Sequence, residues 1–151
     1  MASYTGDVRV LGIDYGARRI GLALSDATGT LASPWRLVER PPSEAQTLTQ
    51  VAELVEQLGR DDDGLGAVVV GWPRRLDGSP THQTAAVEAF AKALESRSGL
   101  RVILQDERLS SHEAEQRLAA GGERDWRARK KKVDAMAAAI ILQDYLDYVP
   151  R

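Results

Sequence analysis

The chain has 151 residues and a formal charge of −2, a length that describes one domain able to bury about two-thirds of its unfolded surface. Its 43% hydrophobic and 28% charged residues exclude disorder, collagen-like repeats and coiled coil as global descriptions. The absence of cysteine excludes a disulfide framework, a thiolate zinc cluster, a cysteine nucleophile and thiol redox chemistry. Residues 1–7 are polar and lack the basic and apolar regions of a signal peptide, and the longest apolar run, 135–142, is far short of a bilayer span. The expectation is a flexible N-terminus over 1–7, one domain over 8–149 and a cytoplasmic location.

In chain order, 8–14 and 19–25 are short β-rich runs joined by Tyr15-Gly-Ala-Arg18, the composition of a hairpin turn. A third strand is expected from Leu31 to Val38. After Pro41-Pro42, Leu48, Val51, Ala52, Val55 and Leu58 recur at helical spacing up to Gly59. The continuous apolar run 66–71 reads as a strand buried on both faces, and Gly71 to Pro80 as a loop by its glycine and proline content. A second helix carries Val87, Phe90, Ala91 and Leu94 on one face, and a strand follows at 101–105. Ser110 and Glu113 have capping-box spacing for a third helix ending at Gly121-Gly122, and Val133 to Tyr148 is a last, apolar helix. The order βββ-α-β-α-β-α-α predicts an α/β fold: a mixed five-stranded sheet, antiparallel over its first three strands and then parallel through helical crossovers, with helices on both faces.

Three places put carboxylates against apolar surroundings. Period-2 alternation sets Val8, Val10, Gly12 and Asp14 on one face of the first strand, so Asp14 ends an apolar row; a plain turn aspartate before Gly16 is the competing account. Positions 134, 138, 141 and 145 form one stripe of the last helix, which places Asp134 on a core-facing side. Its competing account is an acid near the helix start that complements the dipole. Asp106 and Glu107 follow the strand at 101–105, and only one of them can point to the face of Asp14.

In an open α/β sheet, functional groups collect beyond the carboxyl ends of the strands, so these acids can converge. Converging carboxylates repel unless a cation neutralises them. With only two histidines, an all-oxygen site suits Mg²⁺ or Mn²⁺, and two such ions about 3.5–4 Å apart suit phosphodiester hydrolysis. Basic residues flank the acids: Arg18 and Arg19 follow Asp14, Arg74 and Arg75 follow the strand ending at Gly71, and Arg129, Lys130, Lys131 and Lys132 precede Asp134. Each group could cradle a phosphate backbone, or be a solvated turn. Trp72 offers a face for base stacking or simply packs its loop.

Four segments in this order, Gly12-Ile-Asp-Tyr-Gly16 with 19–26, Val70-Gly-Trp-Pro73 with Asp77-Gly-Ser79, Asp106-Glu-Arg-Leu-Ser-Ser111 with Glu113-Ala114, and Lys130-Lys-Lys-Val-Asp134 with Ala137-Ala138, resemble the YqgF or RuvX-type family over about residues 8 to 148. That family is described as Holliday junction resolvases and as pre-16S rRNA nucleases. The resemblance implies a ribonuclease H-like fold and a metal-dependent nuclease in which Asp14, Glu107 and Asp134 bind Mg²⁺ or Mn²⁺ and catalyse, with Glu107 preferred over Asp106. The neighbouring Arg and Lys positions would contact nucleic acid. Trp72 and Arg75 depart from the family's usual aliphatic and small polar residues. Processing pre-16S rRNA can be done by a monomer, whereas symmetric cutting of a four-way DNA junction calls for a homodimer. Two other readings compete: a non-catalytic nuclease-like scaffold binding structured RNA or a protein partner, and an actin-like ATPase hairpin, which a chain this short cannot complete with a second domain.

Overall fold

The computed structural model describes residues 8–107 and 126–148, with the backbone alone for 126–134. The elements are β1 (Arg9–Tyr15), β2 (Arg19–Ser25), β3 (Ala32–Glu39), α1 (Glu44–Arg60), β4 (Leu65–Trp72), α2 (Thr84–Ser98), β5 (Arg101–Asp106) and α3 (Trp126–Tyr148). They form a five-stranded sheet ordered β3-β2-β1-β4-β5. β2 runs antiparallel to β1 and β3, whereas β4 is parallel to β1 and β5 parallel to β4. This is the expected mixed sheet, and the helical crossovers account for the change from antiparallel to parallel pairing. The helix expected around Ser110 and Glu113 lies outside the described residues.

The alternation along β1 sorts the molecule into two cores. Leu11, Ile13 and Tyr15 pack with Val68, Val70 and the apolar stripes of α1 and α2. Val10 on the other face packs with Ala23, Ala67, Val69 and α3. β4 serves both cores with successive valines, which is why its run is continuously apolar. Where α3 crosses β1, a Cβ on Gly12 would stand 2.7 Å from Leu142 Cβ and 3.1 Å from the Ala138 carbonyl oxygen. Glycine on the strand and alanine on the helix therefore let the two backbones approach closely.

Element ends depart from the sequence expectation where local hydrogen bonding, not apolar spacing, decides them. α1 begins at Glu44, ahead of Leu48, because Ser43 caps it by accepting from the Gln46 amide at 3.1 Å. α2 stops at Gly99, whose left-handed φ of 74° lets its N–H reach the Glu95 carbonyl. α3 begins at Trp126, well before the expected Val133. The basic stretch Arg127 to Lys132 carries no apolar period, yet alanine, arginine and lysine are among the best helix formers, so the helix extends through it. Asp134 consequently lies in the third turn, beyond the reach of the terminal dipole, and the dipole account of this residue is corrected.

The Gly12 contact predicts that Gly12→Ala overpacks the β1–α3 seam and costs about 1–3 kcal/mol. Gly59, with nothing within 4 Å of a built Cβ, supplies the contrast: Gly59→Ala in α1 is expected to be neutral or stabilising by up to about 1 kcal/mol. Urea unfolding midpoints of the two variants check both signs.

Candidate active site at the carboxyl end of the sheet

Asp14 sits one residue from the end of β1, and the pairing of Ile13 with Val70 brings it level with Gly71 on β4. Gly71 in turn pairs with Gln105 on β5. Beyond that strand the Glu107 amide donates to the Trp72 carbonyl at 3.3 Å, extending the ladder by one step. Register then resolves the choice between the two adjacent acids. Ile103 belongs to the α3-side core and Leu104 packs on the other, so alternation gives Glu107 the face of Asp14 and turns Asp106 to the face of α1 and α2.

The Glu107 carboxyl lies directly over Gly71. A Cβ on that glycine would collide with Glu107 Oε2, approach Glu107 Cδ to 3.0 Å and meet Ile141 Cδ1 at 2.7 Å. The missing side chain at 71 is thus the space that the Glu107 carboxyl occupies between the sheet and α3. Burial pushes the Glu107 pKa up to about 8, helped by the negative charge of Asp14, by the hydrogen bond between the two carboxyl groups and by the charge of Asp106. Two carboxyl groups can share a hydrogen bond only if one is protonated, and the upward shift at Glu107 fits a proton held by this pair.

Among the described residues, no group of three His, Cys, Asp or Glu side chains comes together at metal-ligand spacing. Asp14 and Glu107 form a pair, and the Asp134 side chain is not among those described. The backbone nonetheless places position 134. Gln143 accepts from the Ala32 amide and donates to the Thr30 carbonyl, at the end of the sheet where Val10 donates to Ser25. Ala138 and Leu142 cross over Gly12. Running back along α3 therefore brings Asp134, one turn before Ala138, toward the end of β1 that carries Asp14.

The basic residues differ in how their loops and strands hold them. Arg74 donates from Nε to the Gly78 carbonyl at 2.7 Å and again from Nη2, and its guanidinium stacks 4.1 Å from the centre of the Trp72 ring. Trp72 itself donates to Glu88 at 3.1 Å, so loop packing is its role here. Arg75 is exposed and donates from Nε to the Pro80 carbonyl at 3.3 Å, Arg18 in the β1–β2 turn is exposed, and Arg19 opens β2 partly buried. Arg129 to Lys132 occupy the first turns of α3, and their side chains lie outside the described part.

Two contributors escaped the sequence reading. Gly71 was visible as a glycine closing an apolar strand, a pattern that marks a close approach, although what approaches comes from β5. Arg40 lies 4.4 Å over the Tyr15 ring and donates to the Gly16 carbonyl at 3.3 Å, while its amide donates to the Arg18 carbonyl. It braces the turn that follows Asp14, and no local pattern announces it because its partners lie more than twenty residues earlier.

The family model described as RuvX, Holliday junction resolvase, matches residues 8–148. A protein of Maridesulfovibrio salexigens named "Putative pre-16S rRNA nuclease" is 41% identical over 139 residues, covering 92% of this chain and 98% of its own. One of the same name from Chloroflexus aggregans is 40% identical over 138 residues, 91% of this chain and 92% of its own. Among solved structures, RuvC of T. thermophilus in complex with a Holliday junction substrate superposes with a TM-score of 0.53 at 18% identity, covering 92% of this chain and 93% of its own. The fowlpox virus Holliday junction resolvase does so with 0.52 at 16% identity, covering 93% and 98%. At that identity the likeness establishes the ribonuclease H-like fold. Motif order, sheet topology and a match spanning nearly the whole sequence agree, and this chain belongs to the RuvX family.

Proposed function

We propose that this chain is a divalent-metal-dependent endonuclease that hydrolyses phosphodiester bonds of structured RNA, with the precursor of 16S rRNA as its substrate. The observation that carries this reading is the proton-sharing pair of Asp14 and Glu107 at the carboxyl end of the sheet. The names of relatives about 40% identical over nearly the full length favour RNA over a four-way DNA junction. The family description keeps the junction as the second reading, and that reading requires a homodimer.

The donor set fits a hard cation. Asp14 and Glu107 offer only oxygen, in a half-buried position where a proton already does the neutralising. Asp14 and Glu107, carried by two strands, would hold such a cation, and Asp134 on α3 would be the third ligand. When bound, Mg²⁺ or Mn²⁺ supplies charge stabilisation to the phosphodiester and activates water, and a pair of ions does so on both the attacking and leaving sides. Arg18, Arg19, Arg75 and the run Arg129 to Lys132 hold the phosphate backbone across the acids. Arg74 acts one step removed, by keeping its loop in shape.

Asp14→Asn and Glu107→Gln are each expected to lower cleavage of a labelled pre-16S fragment in Mn²⁺ by about a hundredfold or more, with circular dichroism and RNA affinity close to wild type. Cleavage at the wild-type rate by either variant overturns the assignment. Lys131→Ala is expected to weaken binding evenly across RNA sequences and to reduce the salt slope by about one, read from affinities across a salt series.

The metal-free protein should also respond to pH with a defined sign. The folded state keeps a proton on Glu107 up to about pH 8, whereas an unfolded glutamate loses it near pH 4.3. Between these values the folded state binds more protons, so this contribution to stability is full at low pH and is lost as pH rises through about 8. Melting temperatures measured without metal should therefore fall between about pH 5 and pH 9, and Glu107→Gln, neutral at every pH, should flatten that fall.

A further inference from the structure

Three large apolar side chains are markedly exposed among the described residues: Leu31, Leu76 and Tyr148. Leu31 lies in the β2–β3 turn and Tyr148 ends α3, both at the end of the sheet away from the acids. Leu76, 71% exposed, lies at the other end. It is four residues beyond Trp72, so the chain can carry it at most about 14 Å from the strand end beside Gly71 and Glu107.

The segment that carries Leu76 is locked. Residues 74 and 80 bridge as a short antiparallel pair. The Arg75 amide donates to the Ser79 carbonyl, and the Gly78 amide, at a φ of 89°, donates back to the Arg75 carbonyl. That closes a four-residue turn in which Leu76 and Asp77 are the central pair. Asp77 accepts from both the amide and the hydroxyl of Ser79, Arg74 grips the Gly78 carbonyl from inside, and Thr84 donates to the Pro73 carbonyl at 2.5 Å. Below, the Arg74 guanidinium rests on Trp72, which is anchored to Glu88 on α2.

The centre of such a turn is ordinarily polar. An exposed leucine there, held still by this many constraints and flanked by Arg75, exposed and steadied through its Nε on the Pro80 carbonyl, has the build of an apolar tip that meets a partner without first paying to be ordered. A continuous helix of nucleic acid offers it only phosphates and sugar edges. An unstacked base at a helix end, bulge or branch offers a face.

We infer that the 73–80 hairpin is a preformed finger whose Leu76 packs against an unstacked base at a discontinuity in the nucleic acid while Arg75 takes the adjoining phosphate, so that the finger recognises helix ends and branches. The inference deepens the nuclease reading and rests on it for the identity of the ligand. Apolar side chains inserted at base steps are an established way of reading nucleic-acid shape.

The test is binding in EDTA, without cleavage, of the full chain to two RNAs of equal length: a continuous duplex, and a stem with unpaired flanking nucleotides in which 2-aminopurine replaces the base next to the stem. Wild type should prefer the second RNA and change the 2-aminopurine fluorescence. Leu76→Ser should lose that change and lower the preference by about fivefold or more, with affinity for the duplex unchanged. Leu76→Phe should keep both. A preference that survives Leu76→Ser, or a loss that falls equally on the duplex, overturns the finger. The two readings fail separately. A Leu76-dependent preference in a protein that cuts no RNA with Mn²⁺ present overturns the nuclease and leaves the finger, whereas metal-dependent cutting with a Leu76-independent preference does the reverse.

Discussion

Two carboxyl groups in hydrogen-bond contact at a half-buried sheet end cannot both be charged without cost. At about 4 Å a pair of like charges near a protein surface repels by roughly 4 kcal/mol. In this chain burial and the charge of Asp14 push the Glu107 pKa up to about 8, so the pair favours holding a proton. The surrounding structure serves to create that conflict. Parallel pairing of β1, β4 and β5 sets the strand ends level, Gly71 leaves room for the second carboxyl, and Ile141 of α3 closes over it. The strands and the helix thus hold two acids together that would repel if both were charged.

The two faces of the sheet are made differently for the same reason. Against α1 and α2 the residues are large: Leu11, Ile13, Leu22, Val70 and Phe90. Against α3 they are small, with Ala23, Ala67, Ala138, Ala139 and Gly12 among them. Small residues bring α3 close, and closeness lets a helix far along the chain present position 134 toward acids carried by strands. Dense packing tolerates little adjustment at such a seam, so the geometry of the site and the stability of the fold depend on the same contacts.

Around the acids, charge is divided by function within single dipeptides. Arg74 spends its donors on its own loop and its plane on Trp72, and Arg75 beside it donates to the Pro80 carbonyl, so the turn that carries the exposed Leu76 has a fixed support. Arg40 does similar work at the β1–β2 turn. With a net charge of −2, the chain has no strong overall positive field, and its cations act through local placement.

Much of this was legible in the residues themselves. Alternation in β1, the continuous apolar run of β4 and the helical stripe at 138, 141 and 145 are local periodicities, and they pointed to the sheet, its helix-covered faces and the suspicion attached to Asp14, to one of Asp106 and Glu107, and to Asp134. The motif order was equally local and named the family. What periodicity could not reach was decided between distant segments. The face taken by Glu107 and not Asp106 follows from the β4–β5 register, the role of Gly71 from a side chain thirty-six residues later, the early start of α3 from propensity without an apolar period, and the separate duties of Arg74 and Arg75 from a turn's hydrogen bonds. A sequence determines which groups a strand or helix can present, because backbone geometry repeats every two or 3.6 residues. Which groups meet, and so which carboxyls are paired and what each arginine holds, depends on register and close packing across the chain, and only the folded structure contains those.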